Sequence, residues 1–428
     1  MSNFRQGDSL EDQLREEERL AAAMRRRRRR RWLIPLICIF LALCILFLIL
    51  YFLNKPEPSL TPEPTEPAER RITILAAGDV CLNAQMMTQA RTANGYDFSD
   101  FFLPITRDVA AADLAIVNVE GTFCGEPYNV VQANYPESLL TALATCGFDV
   151  VQTANSYSIE NGLTGLVSTK QFIQAQGLDA LGTFVSQEDR QQSGGILIKE
   201  VGGVRIALIG LTKGTNGLRL PAGAEYSVNL LFRDYDTNYS DVDKDAILAL
   251  LDAAREARPD LIICMVHWGS EYSSEISDAQ KEIANLLLDN GADAIIGTHP
   301  HRVGLIEWKD FPTLERYHET GVVAYSIGDL LSSADREDAH QGCMLRLTVT
   351  KEDGVAKISD VSYLPVYSAY PSESLGQERF TVYDTRNAIS LYESSHYDRV
   401  SRALYQELLE AVEDMKEATG SDLLAEGE

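Results

Sequence analysis

Leu261–Tyr272 reads LIICMVHWGSEY, and after a spacer of helical character Asp293–Val303 reads DAIIGTHPHRV. Each half opens on a short apolar run rich in β-branched residues and ends on histidine: His267 in the first, His299 and His301 in the second. Runs of this length separated by a helix predict buried parallel strands. Side chains just past the carboxyl ends of such strands lie where open α/β sheets place their sites. Three of the six histidines of the chain fall in this one stretch.

The flanking sequence repeats the pattern. RITILAAGDV (71–80), DLAIVNVEGTF (113–123) and FDVVQTAN (148–155) predict strands that end in Asp79, Glu120 and Asn155. Helical stretches are expected at Pro136–Cys146, Gly162–Gln176, Asp241–Glu256 and Asp278–Asn290. Residues 194–212 read as a hairpin about Gly202–Gly203, and residues 342–366 as a hairpin about Asp353–Gly354. Strands also fit 302–309 and 321–331, and residues 212–240 form a long polar loop of the kind that often carries function. Alternating strands and helices predict an α/β domain with a mainly parallel central sheet. The strand-rich second half suggests a second sheet packed on the first. Val400, Leu404, Leu408 and Val412 predict a C-terminal helix at about 397–418, before an acidic tail.

The N-terminus has a different character. Arg25–Arg31 are seven consecutive arginines, and residues 32–53 carry no charge. Twenty-two such residues suffice to span a bilayer as a helix. The arginines should hold residues 1–31 in the cytoplasm and place the rest outside. Residues 54–70 hold five prolines, a composition that favours an extended spacer. The expected organisation is a cytoplasmic tail (1–31), an uncleaved signal anchor (32–53), a Pro-rich linker (54–70) and an extracytoplasmic domain (71–428) of a single-pass cell-membrane protein. The net charge of −25 argues against a nucleic-acid partner, since binding phosphates needs a basic face. Seven cysteines without a C-x-x-C pair do not suggest a disulfide framework.

Asp79, Glu120, His267, His299 and His301 are candidate metal ligands. Carboxylates and imidazoles converging from separate strands suit divalent Mn, Fe or Zn, one ion or two. Pro300 favours a turn that points both flanking imidazoles to one place.

In order, AAGDV, VNVEGTF, TANSYSIENG, MVHWGSEY, GTHPHRV and AYSIGDLL resemble the capsule-biosynthesis CapA family (poly-γ-glutamate capsule type), within the calcineurin-like metallophosphoesterase superfamily. The resemblance covers about Ile72–Val366. It implies a four-layer αββα sandwich of metallophosphoesterase type with a two-metal site at the strand ends. Asp79 and Glu120 would match the family's two acids, His267 its HWG histidine, and His299 and His301 its terminal pair. One loop departs: the family's T-A-N-N-H reads Thr153-Ala154-Asn155-Ser156-Tyr157 here. Ser156 is a poorer ligand than Asn. Tyr157, a phenol, can donate a hydrogen bond but cannot carry a cation near neutral pH. His267 and Tyr157 are the candidate catalytic residues, and Asn155 would hold the loop. Cys81 stands where many metallophosphoesterases have a ligand histidine; as a thiolate it could bind Zn, and as a thiol it would be a core residue.

Three functions follow. The first is a membrane-anchored protein acting on an anionic extracellular polymer such as poly-γ-glutamate in synthesis, export or attachment, alongside other capsule-assembly membrane proteins. The second is a cell-surface, metal-dependent phosphoesterase, a hydrolase with an altered Asn-Ser-Tyr loop. The third is a non-catalytic binding or assembly protein with a degenerate metal site.

Overall fold

A computed structural model describes residues 40–51, 69–310, 320–334, 336, 339–397 and 399–420. The expected cytoplasmic tail, most of the expected anchor, nearly all of the linker and the acidic C-terminus lie outside these. Residues 40–51 are helical. Among the described residues no helix is long and apolar enough to cross a membrane. The described residues from Glu69 on belong to one compact unit.

Two sheets carry this unit. The larger runs, in spatial order, β16 (Thr381–Asp384), β15 (Val355–Ala369), β14 (Gln341–Glu352), β1 (Glu69–Val80), β4 (Leu114–Val119), β5 (Val150–Gln152) and β6 (Asp179–Leu181). A short β13 (Asp329–Leu331) pairs in parallel with the end of β1. The smaller runs β11 (Ile306–Asp310), β12 (Thr320–Ala324), β10 (Ala294–Thr298), β9 (Leu261–His267), β8 (Val204–Thr212) and β7 (Leu197–Val201). A ribbon of β2 (Arg91–Thr92) and β3 (Gly95–Tyr96) stands apart. β1 begins two residues before the expected domain start, inside the expected linker.

Alternation along the strands assembles the layers, because successive side chains in a strand point to opposite faces. In β1, Ile72, Ile74 and Ala76 face a core shared with Ile206, Leu208, Ile263, Met265 and Ile296 of the other sheet. Leu75 and Ala77 face away, toward Leu139, Leu143 and Ile173 of the helices Ser138–Cys146 and Gly162–Ala175. The smaller sheet does the same: Ala207, Ile209 and Cys264 turn to Ile247, Leu251, Ile283 and Leu287 of the helices Lys244–Glu256 and Asp278–Asp289. The result is the four-layer order helix, sheet, sheet, helix.

One expectation is corrected. The second half does supply β9 to β12 of a second sheet, but its last strands join the first sheet instead: β14 pairs antiparallel with β1 from Glu69 to Ala76, so the central sheet is mixed and not mainly parallel. The second sheet comes from residues 197–324. Hydrophobic alternation marks a strand but does not choose its sheet; that is fixed by which edge remains free beside β1. The C-terminal helix, Arg402–Thr419, covers the extension with Leu404, Leu408, Ala411 and Met415. Both expected hairpin turns form, with Gly202, Gly203, Asp353 and Gly354 all at positive φ.

Candidate metal centre

The carboxyl ends of β1, β4, β5, β9 and β10 open on one side of the sandwich, and the predicted polar residues meet there. Asp79 reaches its place through a bulge. Ala77 pairs with Val117 and Asp79 with Asn118, so Gly78 is the extra residue, a device that re-aims the following side chain. A Cβ at Gly78 would lie 1.8 Å from the Gly328 carbonyl, which is why only glycine fits. Asp79 Oδ1 accepts from Asn118 Nδ2 at 2.5 Å, and Oδ2 from the His299 amide at 2.9 Å. Burial raises its carboxyl to about 6 despite the opposing charge of His301.

His299 and His301 both sit in left-handed backbone, φ 92° and 55°. Non-glycine residues seldom tolerate this, and such strain gathers at functional sites. The turn brings the ring of His299 to 4.6 Å from that of His267 and 6.0 Å from that of His301, centroid to centroid. His301 Nδ1 donates to Asp329 Oδ1 at 2.8 Å. Burial alone would lower this imidazole, but Asp329, Glu120 and Asp79 outweigh it and raise it to about 11. His267 Nδ1 meets Thr298 Oγ1 at 3.1 Å, and its Nε2 meets Ser156 Oγ at 3.1 Å and lies 3.5 Å from Glu120 Oε1. The other Glu120 oxygen lies 4.0 Å from His301 Nε2, so this carboxylate stands between two imidazoles. Burial, then Asp79, pushes Glu120 well up. Burial holds His267 and His299 well below the usual imidazole value, so both are neutral and keep a free lone pair.

The residues fit a cation. His299 is 3% exposed, yet neither ring nitrogen has a hydrogen-bond partner, and Glu120 Oε1 is likewise buried without one. Such orphaned groups cost free energy unless something pairs with them. Three buried acids, Asp79, Glu120 and Asp329, crowd one protonated imidazole, and the crowding that holds a proton on Glu120 is what a divalent ion would relieve. Ligand atoms of Glu120, His267 and His299 lie within 4.8 Å of one another, as do those of Asp79, His301 and Asp329, of Cys81, Glu120 and His301, and of Glu271, His299 and His301. All five predicted metal ligands are brought together. The cluster also contains Asp329, Cys81 and, at the exposed rim, Glu271, which were not among them.

Asp329 had a signal: Gly328-Asp329 repeats Gly78-Asp79, and the two aspartates are register partners. Cys81 lies inside the cluster instead of in an apolar core, its thiol raised by burial and then by Glu120. Asn155 is spent on the scaffold: its amide donates to Val119 O and Asn118 Oδ1 and accepts from the Tyr157 amide. Ser156 touches His267. The Tyr157 phenol is pushed up by burial, then by Glu120 and Cys81, so it stays protonated as a donor. His267, fully buried and neutral, offers a lone pair and no exposed edge.

A family model described as bacterial capsule synthesis protein PGA_cap matches residues 73–334, more than half of the chain and every residue of the cluster. The chain belongs to this PGA_cap family. The PGA biosynthesis protein CapA of Bacillus subtilis (strain 168) is 24% identical over 350 residues, covering 78% of this chain and 82% of that protein. The capsule biosynthesis protein CapA of Bacillus anthracis is 26% identical over 198 residues, 46% of this chain and 43% of that one. Among solved structures, the calcineurin-like phosphoesterase YfkN from Bacillus subtilis superposes with a TM-score of 0.42 at 15% identity, over 80% of this chain and 99% of that one. The PGA_cap match ends before β14, so the sheet extension and its covering helix lie beyond the matched region.

Proposed function

We propose that this PGA_cap protein is anchored in the cell membrane with its sandwich domain outside, and that its metal centre acts on an anionic polymer of the poly-γ-glutamate kind during capsule synthesis, export or attachment. The anchor rests on Arg25–Arg31 followed by an uncharged stretch. The polymer class rests on the family and on the names of its relatives. The observation that carries the metal is His299, buried with both ring nitrogens unpaired among carboxylates.

A divalent ion held there would supply Lewis-acid polarisation of a carbonyl or phosphoryl oxygen. The chain's own residues do the rest. Asp329 and Thr298 fix two imidazole rings by their Nδ1 atoms and leave Nε2 toward Glu120. Tyr157 carries a proton that can be donated as a hydrogen bond to a substrate oxygen. The same donor set would serve a phosphoester, the second reading, but Ser156 and Tyr157 replace the amide and imidazole expected for that chemistry.

In the host strain, replacing His299 and His301 together by alanine should abolish surface anionic polymer at unchanged protein level. Wild-type polymer in that strain would overturn the proposal.

A further inference from the structure

Lys213 has no role in the cluster described above, yet it adjoins it. It follows the last residue of β8, and its amide donates to the His267 carbonyl at 2.8 Å. Its Nζ donates to the Gly269 carbonyl at 2.9 Å and lies 4.9 Å from the centre of the Tyr239 ring. Among the described residues no carboxylate pairs with it. An ammonium this enclosed would ordinarily hold an anion, because losing water is costly for a charge that gains no counter-charge. Its charge reaches His267 and His299, and it lies within reach of the charges of Glu271 and Glu120.

The loop holds Lys213 firmly. Thr212 Oγ1, fully buried, donates to the Gly214 carbonyl at 2.9 Å and accepts from the Gly214 amide at 3.3 Å. A Cβ on Gly214 would lie 2.3 Å from the Tyr235 carbonyl and 2.5 Å from the Tyr239 ring, so the turn is packed tightly against the polar loop 212–240. Asn216 and Gly217 then reverse the chain at positive φ. The centre thus has two sides. Asp79, Asp329 and Cys81 gather about His301 on one side; on the other, His267 and His299 meet Glu120 and, at the rim, Glu271, and Lys213 adds positive charge there.

We infer that Lys213 is a substrate-binding residue that receives an anionic oxygen group, carboxylate or phosphoryl, beside His267 and His299. This deepens the proposed function and rests on it for the place of the reacting group. It also explains how an acidic domain can accept a polyanion: the positive charge is local. Lysine suits this task as a compact point charge.

The test uses full-length protein in detergent, loaded with Mn, and isothermal titration with two probes, inorganic phosphate and a γ-linked glutamate oligomer. Wild type should bind at least one; which one identifies a phosphoryl or a carboxylate source. Lys213→Met, which keeps the stem against Tyr239, should weaken that binding by about tenfold or more, with metal content and melting temperature unchanged. Lys213→Arg should restore most of it. Equal binding by wild type and Lys213→Met, or binding of neither probe by wild type, overturns the inference. If wild type holds no metal yet binds an anion through Lys213, the metal reading fails and this one stands.

Discussion

His301 is held by Asp329 in the way that carboxylates orient metal-binding histidines, leaving Nε2 turned to Glu120. Asp329→Asn should therefore weaken metal binding by roughly 10- to 100-fold, measured by competition with a chelator. The pH dependence carries a second signature. With its imidazole raised to about 11 by the carboxylates, metal-free His301 is protonated at neutral pH, so a cation must displace a proton. Affinity should rise with pH across the neutral range, and rise less steeply in Asp329→Asn, where one of those carboxylates is gone. A wild-type affinity that does not change with pH would contradict this assignment. Sequence alone marked His301 but not its partner. Gly328-Asp329 looked like the continuation of a strand, and the contact that gives it meaning spans 28 residues. Lys213 and Glu271 were hidden for the same reason: lone charged residues next to loops are usually solvated, and only the fold shows what they face.

At the level of elements, strand ends were the legible part. Asp79, Glu120, His267, His299 and His301 each follow an apolar run, and strand polarity alone sends them to one end of the sandwich. The bulge at Gly78 was not legible, because nothing in AAGDV says that the chain will pass within contact of Gly328. Gly78→Ala tests how far the site depends on that approach. Its methyl would meet a backbone carbonyl that cannot move aside, so the expected cost is about 1–3 kcal/mol in urea denaturation, with reduced metal content as Asp79 shifts. A variant as stable as wild type and equally loaded would show that the bulge is incidental. The destination of β14–β16 was equally hidden, since their alternation fits either sheet. The pairing of β14 with β1 stops at Ala76 and leaves the end of β1, Asp79 and Val80, for β13 and the site.

For the whole molecule, charge and topology set the problem. A chain of net charge −25 that handles a polyanion needs concentrated positive charge, which a bound cation and Lys213 would supply. The proposed orientation has its own check: protease added to intact cells should remove the sandwich domain, while a domain protected until the membrane is opened would refute an outward-facing anchor. Everything else depends on whether the buried cluster holds metal. The most direct measurement is metal analysis of the purified full-length protein after reconstitution with Mn, Fe or Zn and removal of excess. Wild type should retain one or two ions per chain, and the His299→Ala, His301→Ala double variant none. A wild-type protein at background levels with all three metals would contradict the account and leave a sandwich that binds without a metal.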